Sequence, residues 1–486
     1  MTNLPRSTPA AQGVDPRGVL AFLDGLESDG IEMHSLMVVR HGHVVAEGWW
    51  APYTHDRQQL VYSVAKTFTA TAVALALGEG LLELDSPVTS FFPESLPLSL
   101  DPKVEELTLH HLLSMSTGHD RDTLPVMESE LGGDMAKAFL STRPQTAVGS
   151  RHVYNNGCSV LLGLVVEQVT GEPLEDYLRP RLLDPLGIGE FVWSHHPSGS
   201  VRGSTGVHTI TESLATLGEL YLRDGVWRGS RLLPEGWVAQ ATQAHIVPTD
   251  FPDSPDSGVG YGYQLWMSRH GYRADGAWAQ LAMVLPDQDA VIATTAAVPH
   301  SQLVLDHVWA ELLPALEGAT TRPDPGAQRE LEARLAALTL PVGPRPSPDR
   351  AGWHTNGMVV VQRIPDAKGW WYPSLFDVGL QPIAEGWALS FVEDEEPLSI
   401  DCGDGRWLTS VLVLPDRSRV PIAATATASG ATATADVVFL ETPHVLHLDL
   451  ARIDPKAEGR LAALATASMR WNVPPLHHRS LADLRA

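Results

Sequence analysis

Cysteine is nearly absent from this 486-residue chain, which has only Cys158 and Cys402. Two cysteines so far apart build no disulfide framework and give no paired-ligand spacing for a metal centre. Lysine is almost as scarce, at Lys66, Lys103, Lys137, Lys368 and Lys456. Positive charge is outnumbered throughout: 34 Lys and Arg stand against 58 Asp and Glu, a formal net charge of −24. That balance argues against nucleic acid or an anionic membrane surface as a partner. No apolar run is long enough to span a bilayer, and the opening Met1-Thr2-Asn3-Leu4-Pro5-Arg6 has no apolar signal core. A cytoplasmic protein is expected. The histidine pairs His110-His111, His195-His196 and His477-His478 are sequence neighbours, a spacing at which two rings do not readily chelate one ion. No metal and no cofactor are expected.

What is present is an ordinary globular composition, 44% hydrophobic and 19% charged, on a chain too long for a single compact core. Its centre of gravity is Val61-Tyr62-Ser63-Val64-Ala65-Lys66, which runs into an Ala/Leu-rich stretch to Leu77. A helix apolar on nearly every side is a buried helix. Gly78 and Gly80 mark its end. Ser63 lies at the first turn, and Lys66, three residues on, shares its face. The helix dipole and an apolar setting both disfavour a charged lysine there, so the Lys66 pKa should fall. A lysine poised near neutrality can take the proton of an adjacent hydroxyl. The plainer reading is a capping serine beside a snorkelling lysine.

A second motif decides between them. Tyr154-Asn155-Asn156 opens another apolar run, Val160 to Val166. Ser-x-x-Lys at the start of a buried helix, followed by Tyr-x-Asn at the start of a second, resembles the active-site layout of the serine β-lactamase and penicillin-binding-protein superfamily. The nearest branches are the class C-like hydrolases, esterases and D-aminopeptidases. The likeness extends over most of residues 10–318, through Glu79-Gly80-Leu81-Leu82-Glu83-Leu84-Asp85, His110 to Gly118, and Asp184-Pro185-Leu186-Gly187-Ile188.

Apolar spacing predicts an amphipathic helix over 14–29 and a hairpin of Leu36–Arg40 with Val44–Trp50 turning at His41-Gly42-His43. Short helices and loops follow over 81–153, then a helix over Glu212–Asp224, strands at Tyr261–Trp266, Leu281–Leu285 and Ala290–Ala296, and a closing helix over Ser301–Leu316. This is an α+β arrangement: an antiparallel sheet flanked by helices, with an all-helical insertion. Residues 1–318 form the expected hydrolase domain, and 319–348, rich in Pro and Gly, a linker holding one helix at Gln328–Leu338. Beyond it, Met358–Arg363, Trp370–Pro373, Trp387–Val392, Arg406–Leu414, Arg419–Thr425, Ala435–Glu441 and His444–Leu450 read as strands. Their regular spacing predicts an all-β barrel or sandwich over 349–486. The family resemblance implies a lipocalin-like domain there.

The resemblance also implies a third motif on the strand lining the site. Ala274-Asp275-Gly276 is the best match, with alanine where relatives carry a basic residue that holds a substrate carboxylate. β-Lactam hydrolysis is thereby disfavoured. Strand alternation points Arg273 to the other face. The implied catalytic residues are Ser63, Lys66 and Tyr154. Asn156 orients Lys66 or receives the acyl side of the substrate, and Asp275, Gly276 and Ala277 contact substrate, with the Ala277 and Ser63 backbone N–H groups as oxyanion hole. The expected reaction is acyl transfer through acyl-Ser63 on a small ester or amide substrate. D-peptide hydrolysis, peptide cyclisation and a catalytically silent binding protein are the alternatives. His208 sits in a loop that could reach the pocket, and the oligomeric state is not specified.

Overall fold

The computed structural model describes residues 4–129, 133–196, 199–317, 324–342, 360–362, 375–393, 395–414, 416–430, 432–451 and 466–471. The expected strand Trp370–Pro373, the pair His477-His478, Lys368, Lys456 and residues 319–323 and 343–348 of the Pro/Gly-rich linker lie outside these residues. The chain divides into two compact units, Met1–Trp49 with Leu60–Leu338, and Trp50–Gln59 with Thr339–Ala486.

The first unit begins with α1 (Pro16–Ser28), capped by Asp15, whose carboxylate accepts the Arg17 N–H at 3.0 Å. Val19, Phe22, Leu23 and Leu26 form its buried stripe at helical spacing. Strands β1 (Met33–Arg40) and β2 (His43–Trp49) follow. His41 (φ 50°) and Gly42 (φ 73°) join them, both in the left-handed region that a two-residue hairpin turn requires. Next comes α2 (Ala65–Gly78), buried on every side from Ala65 to Ala76. Gly80, at φ 73°, turns the chain out of it. Helix α3 (Asn156–Thr170) packs against α2, and α4 (Thr211–Leu222) lies across the sheet.

The sheet is completed by β3 (Trp266–Ser268), β4 (Gly271–Gly276), β5 (Gln280–Leu285) and β6 (Ala290–Ala296). Its order is β2-β1-β6-β5-β4-β3, antiparallel throughout. Alternate residues point to opposite faces. Met37, Val39, Val284, Val291 and Ala293 turn toward the core that α2, α3 and α4 share. Gly218 of α4 sits so close to β6 that a Cβ there would meet the Val291 side chain at 2.6 Å. The other face is covered by α1 and by the closing helix, which runs as Ser301–His307, a π turn Val308–Leu312 and Leu313–Glu317. Gly18 of α1 abuts Ala315 with no room for a Cβ. Pro325–Ala336 forms a further helix of this unit, capped by Asp324. No helix among the described residues is long and apolar enough to cross a membrane.

The second unit is all-β among its described residues, a single nine-stranded sheet. Six of the nine strands match segments expected from the sequence, but Leu375–Ile383, Glu396–Asp404 and Thr466–Trp471 do not. The expected strand at Arg419–Thr425 continues to Ser429. Two pairings are parallel, Val360–Gln362 with Thr466–Ser468 and Gly403–Asp404 with Thr425–Ala426. The core holds Trp387, Leu389, Phe391, Ile422, Phe439 and Leu448. Tyr53, from Trp50–Gln59, packs on Leu340, Val438 and Leu440.

Candidate active site

The chain reaches Ser63 through a strained step. Tyr62 adopts φ 46°, left-handed for a residue with a bulky side chain, and Tyr62–Val64 form one 3-10 turn before α2 begins at Ala65. Val61 is fixed on one side by its N–H donating to the Val207 carbonyl at 2.9 Å. On the other side its carbonyl oxygen touches Gly276, the last residue of β4, where any Cβ would collide with it. The Tyr62 hydroxyl is hydrogen-bonded to the Trp278 side chain, from the turn after β4. The nucleophile turn and the end of β4 are thus locked together, and only glycine fits at that contact.

Lys66 is 1% exposed. Its ammonium donates to Ser63 Oγ at 2.7 Å and to the Ser204 carbonyl at 2.8 Å. Burial lowers its pKa from 10.5 to about 7, while the Asp122 charge pushes the other way. Tyr154 completes the group, with its hydroxyl hydrogen-bonded to Ser63. The sequence suggests a Lys66–Tyr154 hydrogen bond, but Lys66 Nζ stands instead over the tyrosine ring, 4.9 Å from its centroid. Burial drives the Tyr154 phenol well above its ordinary range, against the smaller pull of the Ser63 hydrogen bond. Tyr154 is therefore a neutral phenol near neutral pH, and Lys66 is the group that titrates there.

Tyr154 stacks on Trp266, with ring centroids 5.6 Å apart at 15°. Tyr261, His152 and Phe251 close in around Trp266 at 4.8, 5.7 and 5.1 Å. Trp266 comes 112 residues after Tyr154, and nothing local in the sequence announces their contact. The same holds for Ser204, whose contribution is a backbone carbonyl, and for Asp122.

The remaining residues singled out from the sequence are placed as follows. Asn156 opens α3 and donates through Nδ2 to Asp122 Oδ2 at 2.6 Å. Its neighbour Asn155 caps the helix, accepting the Gly157 N–H at 3.0 Å. Both Asp275 oxygens are engaged: Arg273 Nε donates to one at 2.8 Å and Ser301 Oγ to the other at 2.8 Å. Arg273 is 1% exposed and also donates to the Met267 carbonyl, Ser268 and Ser257. It shares its face with Asp275, opposite Ala274, which packs near Thr67 of α2. Ala277 is exposed beside Gly276. His208 pairs with Val192, which is 54% exposed, so it lies on the exposed face of its short strand. Among the described residues no group of three metal-ligating side chains converges.

The arrangement can activate a serine hydroxyl: a base of suitable pKa at hydrogen-bond distance, a phenol on the same oxygen, and backbone N–H groups nearby. Comparison with known proteins agrees. The model of the family described as "Beta-lactamase" matches residues 22–315. The chain is 29% identical to Esterase EstB of Burkholderia gladioli over 210 residues, 37% of this chain and 53% of that one. It is 27% identical to the 6-aminohexanoate-dimer hydrolase of Paenarthrobacter ureafaciens over 220 residues, 42% and 55% of the two chains. This chain thus spans about half the length of these curated relatives. Among solved structures, EstCE1, a hydrolase with promiscuous acyltransferase activity, superposes with a TM-score of 0.50 at 17% identity, covering 64% of this chain and all of that one.

Proposed function

The chain belongs to the Beta-lactamase family, and from that premise we propose that it is a serine hydrolase working through an acyl-Ser63 intermediate on small esters. The observation that carries this is the 2.7 Å contact between Ser63 Oγ and a buried Lys66 whose pKa is lowered to about 7. Above neutral pH the Lys66 amine is largely uncharged. One N–H stays with the Ser204 carbonyl, and the lone pair accepts the Ser63 proton as Oγ attacks the substrate carbonyl. The tetrahedral oxyanion rests on the Ser63 and Ala277 backbone N–H groups. Collapse expels the alkoxide, which takes up the proton that Lys66 accepted from Ser63, while the Tyr154 phenol stands beside the same oxygen. Water then attacks the acyl-enzyme with Lys66 as base, and the proton passes to Ser63 Oγ as it leaves, returning Ser63 and the free acid.

Two observations favour esters over β-lactams and other carboxylate-bearing substrates. Ala274 offers no cation from β4, and the Arg273 guanidinium is committed to Asp275, Ser257, Ser268 and the Met267 carbonyl. The relatives fit too, one named an esterase and one a dimer hydrolase. Amide hydrolysis on the same residues is the second reading, favoured by that second relative. Cys158 and Cys402 are both buried and unpaired, which suits a reducing compartment, so a cytoplasmic setting belongs to the proposal. The all-β unit is read as lipocalin-like and as contributing no catalytic group. A panel of short-chain aryl esters against the matching anilides tests the reading. Turnover of the esters, with slower or no turnover of the anilides, is expected. Faster anilide cleavage would transfer the assignment to amides.

A further inference from the structure

The Asn156 side chain makes no hydrogen bond to Ser63, Lys66 or Tyr154; its carboxamide is held by a residue outside the expected motifs. Asp122 lies in the loop after His119, 34 residues before Asn156. Its Oδ2 accepts from Asn156 Nδ2 at 2.6 Å, and its Oδ1 from the Gly157 N–H at 3.3 Å and the Leu124 N–H at 3.0 Å. The adjacent Thr123 donates through both N–H and hydroxyl to Asn155 Oδ1, at 3.0 and 2.9 Å. Residues 122–123 are therefore stitched to the turn that carries Tyr154 into α3. A carboxylate has only acceptors, so the group of Asn156 that faces it is its NH2. Among the described residues the Asn156 oxygen takes no donor, and it is not a buried orphan.

We propose that Asp122 is a positioning residue of the hydrolase: it fixes the orientation of the Asn156 carboxamide and places a negative charge within reach of Lys66. The inference rests on the serine-hydrolase reading and deepens it. Electrostatics agree with the geometry. The Asp122 charge favours the Lys66 ammonium, opposing burial, and disfavours a Tyr154 phenolate. The other groups facing this pair are the Cys158 thiol from α3, toward Lys66, and Asp275 from β4 and the Tyr261 phenol, toward Tyr154. A charge at Asp122 thus sets the pH at which Lys66 becomes a base. It also keeps a proton on Lys66 for the leaving group longer than burial alone would.

The test is the pH profile of kcat/KM on an aryl ester, after active sites are counted with a fluorophosphonate. Asp122→Asn keeps the shape and removes the charge. The acidic limb should move to lower pH by roughly half a unit to one unit, as expected for loss of one charge a few ångströms away in a partly wet site. Asn156→Asp sets two carboxylates against each other and should lower kcat/KM at least about 100-fold while moving the limb upward. The exchange Asp122→Asn with Asn156→Asp restores a carboxamide–carboxylate pair and should recover most of that loss. A purely structural role would lower the melting temperature and the count of active sites without moving the limb. Should Asp122→Asn not fold, the exchange carries the test, since without pairing it can recover nothing. Ser63-dependent labelling of the wild type, with an unmoved limb in Asp122→Asn and no recovery in the exchange, overturns the proposal alone. Absence of Ser63-dependent labelling overturns the serine reading and this proposal with it.

Discussion

Lys66 makes the fold less stable than it could be, and the effect is measurable. The unfolded chain holds its lysines near 10.5, whereas burial holds Lys66 at about 7 in the fold. A base whose folded pKa is lowered binds fewer protons in the native state than in the unfolded state between those two values. Stability therefore rises with pH across that window. Below about pH 7 both states are charged and the whole cost is present; above about 10.5 both are neutral and it is gone. The gap from 10.5 to about 7 corresponds to about 5 kcal/mol. Lys66→Met keeps the length and apolar volume and removes the charge. It leaves the Ser204 carbonyl without its donor, a loss of about 1–3 kcal/mol. The net expectation is a protein more stable than wild type by roughly 2–4 kcal/mol at pH 6, with the advantage shrinking to zero or reversing by pH 10. Urea unfolding at pH 6, 8 and 10, following the transition of the first unit, measures it. A constant difference at all three pH values, or a variant less stable at pH 6, would refute a buried Lys66 with a depressed pKa.

Gly276→Ala drives a Cβ into the Val61 carbonyl, displacing the Ser63 turn from Ala277; kcat should fall about 100- to 1,000-fold, the usual cost of one oxyanion donor, while a circular-dichroism melt shows a folded protein. Asp256 is buried, and although burial pushes its pKa up, Arg269, Gln302 and Trp309 together hold it at about 2. With its folded pKa below the unfolded value, the stability it contributes is complete above about pH 4 and drains away as pH falls toward 2, so Asp256→Asn should flatten acid unfolding in that range, read as melting temperature against pH. Trp266→Ala removes the ring stacked on Tyr154 and should destabilise by about 3–5 kcal/mol, with a drop in kcat larger than the change in KM; an unchanged kcat would separate Tyr154 from its support.

The elements around Ser63 were legible because each carries a local signal. α2 shows an unbroken apolar run closed by glycines, and the β1–β2 hairpin shows two short apolar runs joined at His41-Gly42-His43. Ser-x-x-Lys lies within a single turn, so its spacing alone encodes a shared face, whereas the asparagine of Tyr-x-Asn turns to Asp122. The supports of the site were not legible, since they are contacts between distant segments. Asp122 has no periodicity around it, Ser204 acts through its backbone, and Trp266 looks like any buried aromatic. Arg273 was correctly turned away from Ala274 by strand alternation, but its pairing with Asp275 follows from residues two apart on one strand lying on one face. In the all-β unit, Leu375–Ile383 was hidden by Gly379 and Pro382, and Glu396–Asp404 by Pro397 and its charged ends. Both pair through their backbones regardless of that weak alternation.

The central claim, that Ser63 is the nucleophile, is tested most directly by intact-mass and peptide analysis after brief exposure to an activated aryl ester or a fluorophosphonate. One acyl or phosphonyl adduct on the peptide that contains Ser63, absent in Ser63→Ala together with all turnover, is the predicted result. An adduct on any other residue, or ester turnover that persists in folded Ser63→Ala, would contradict it.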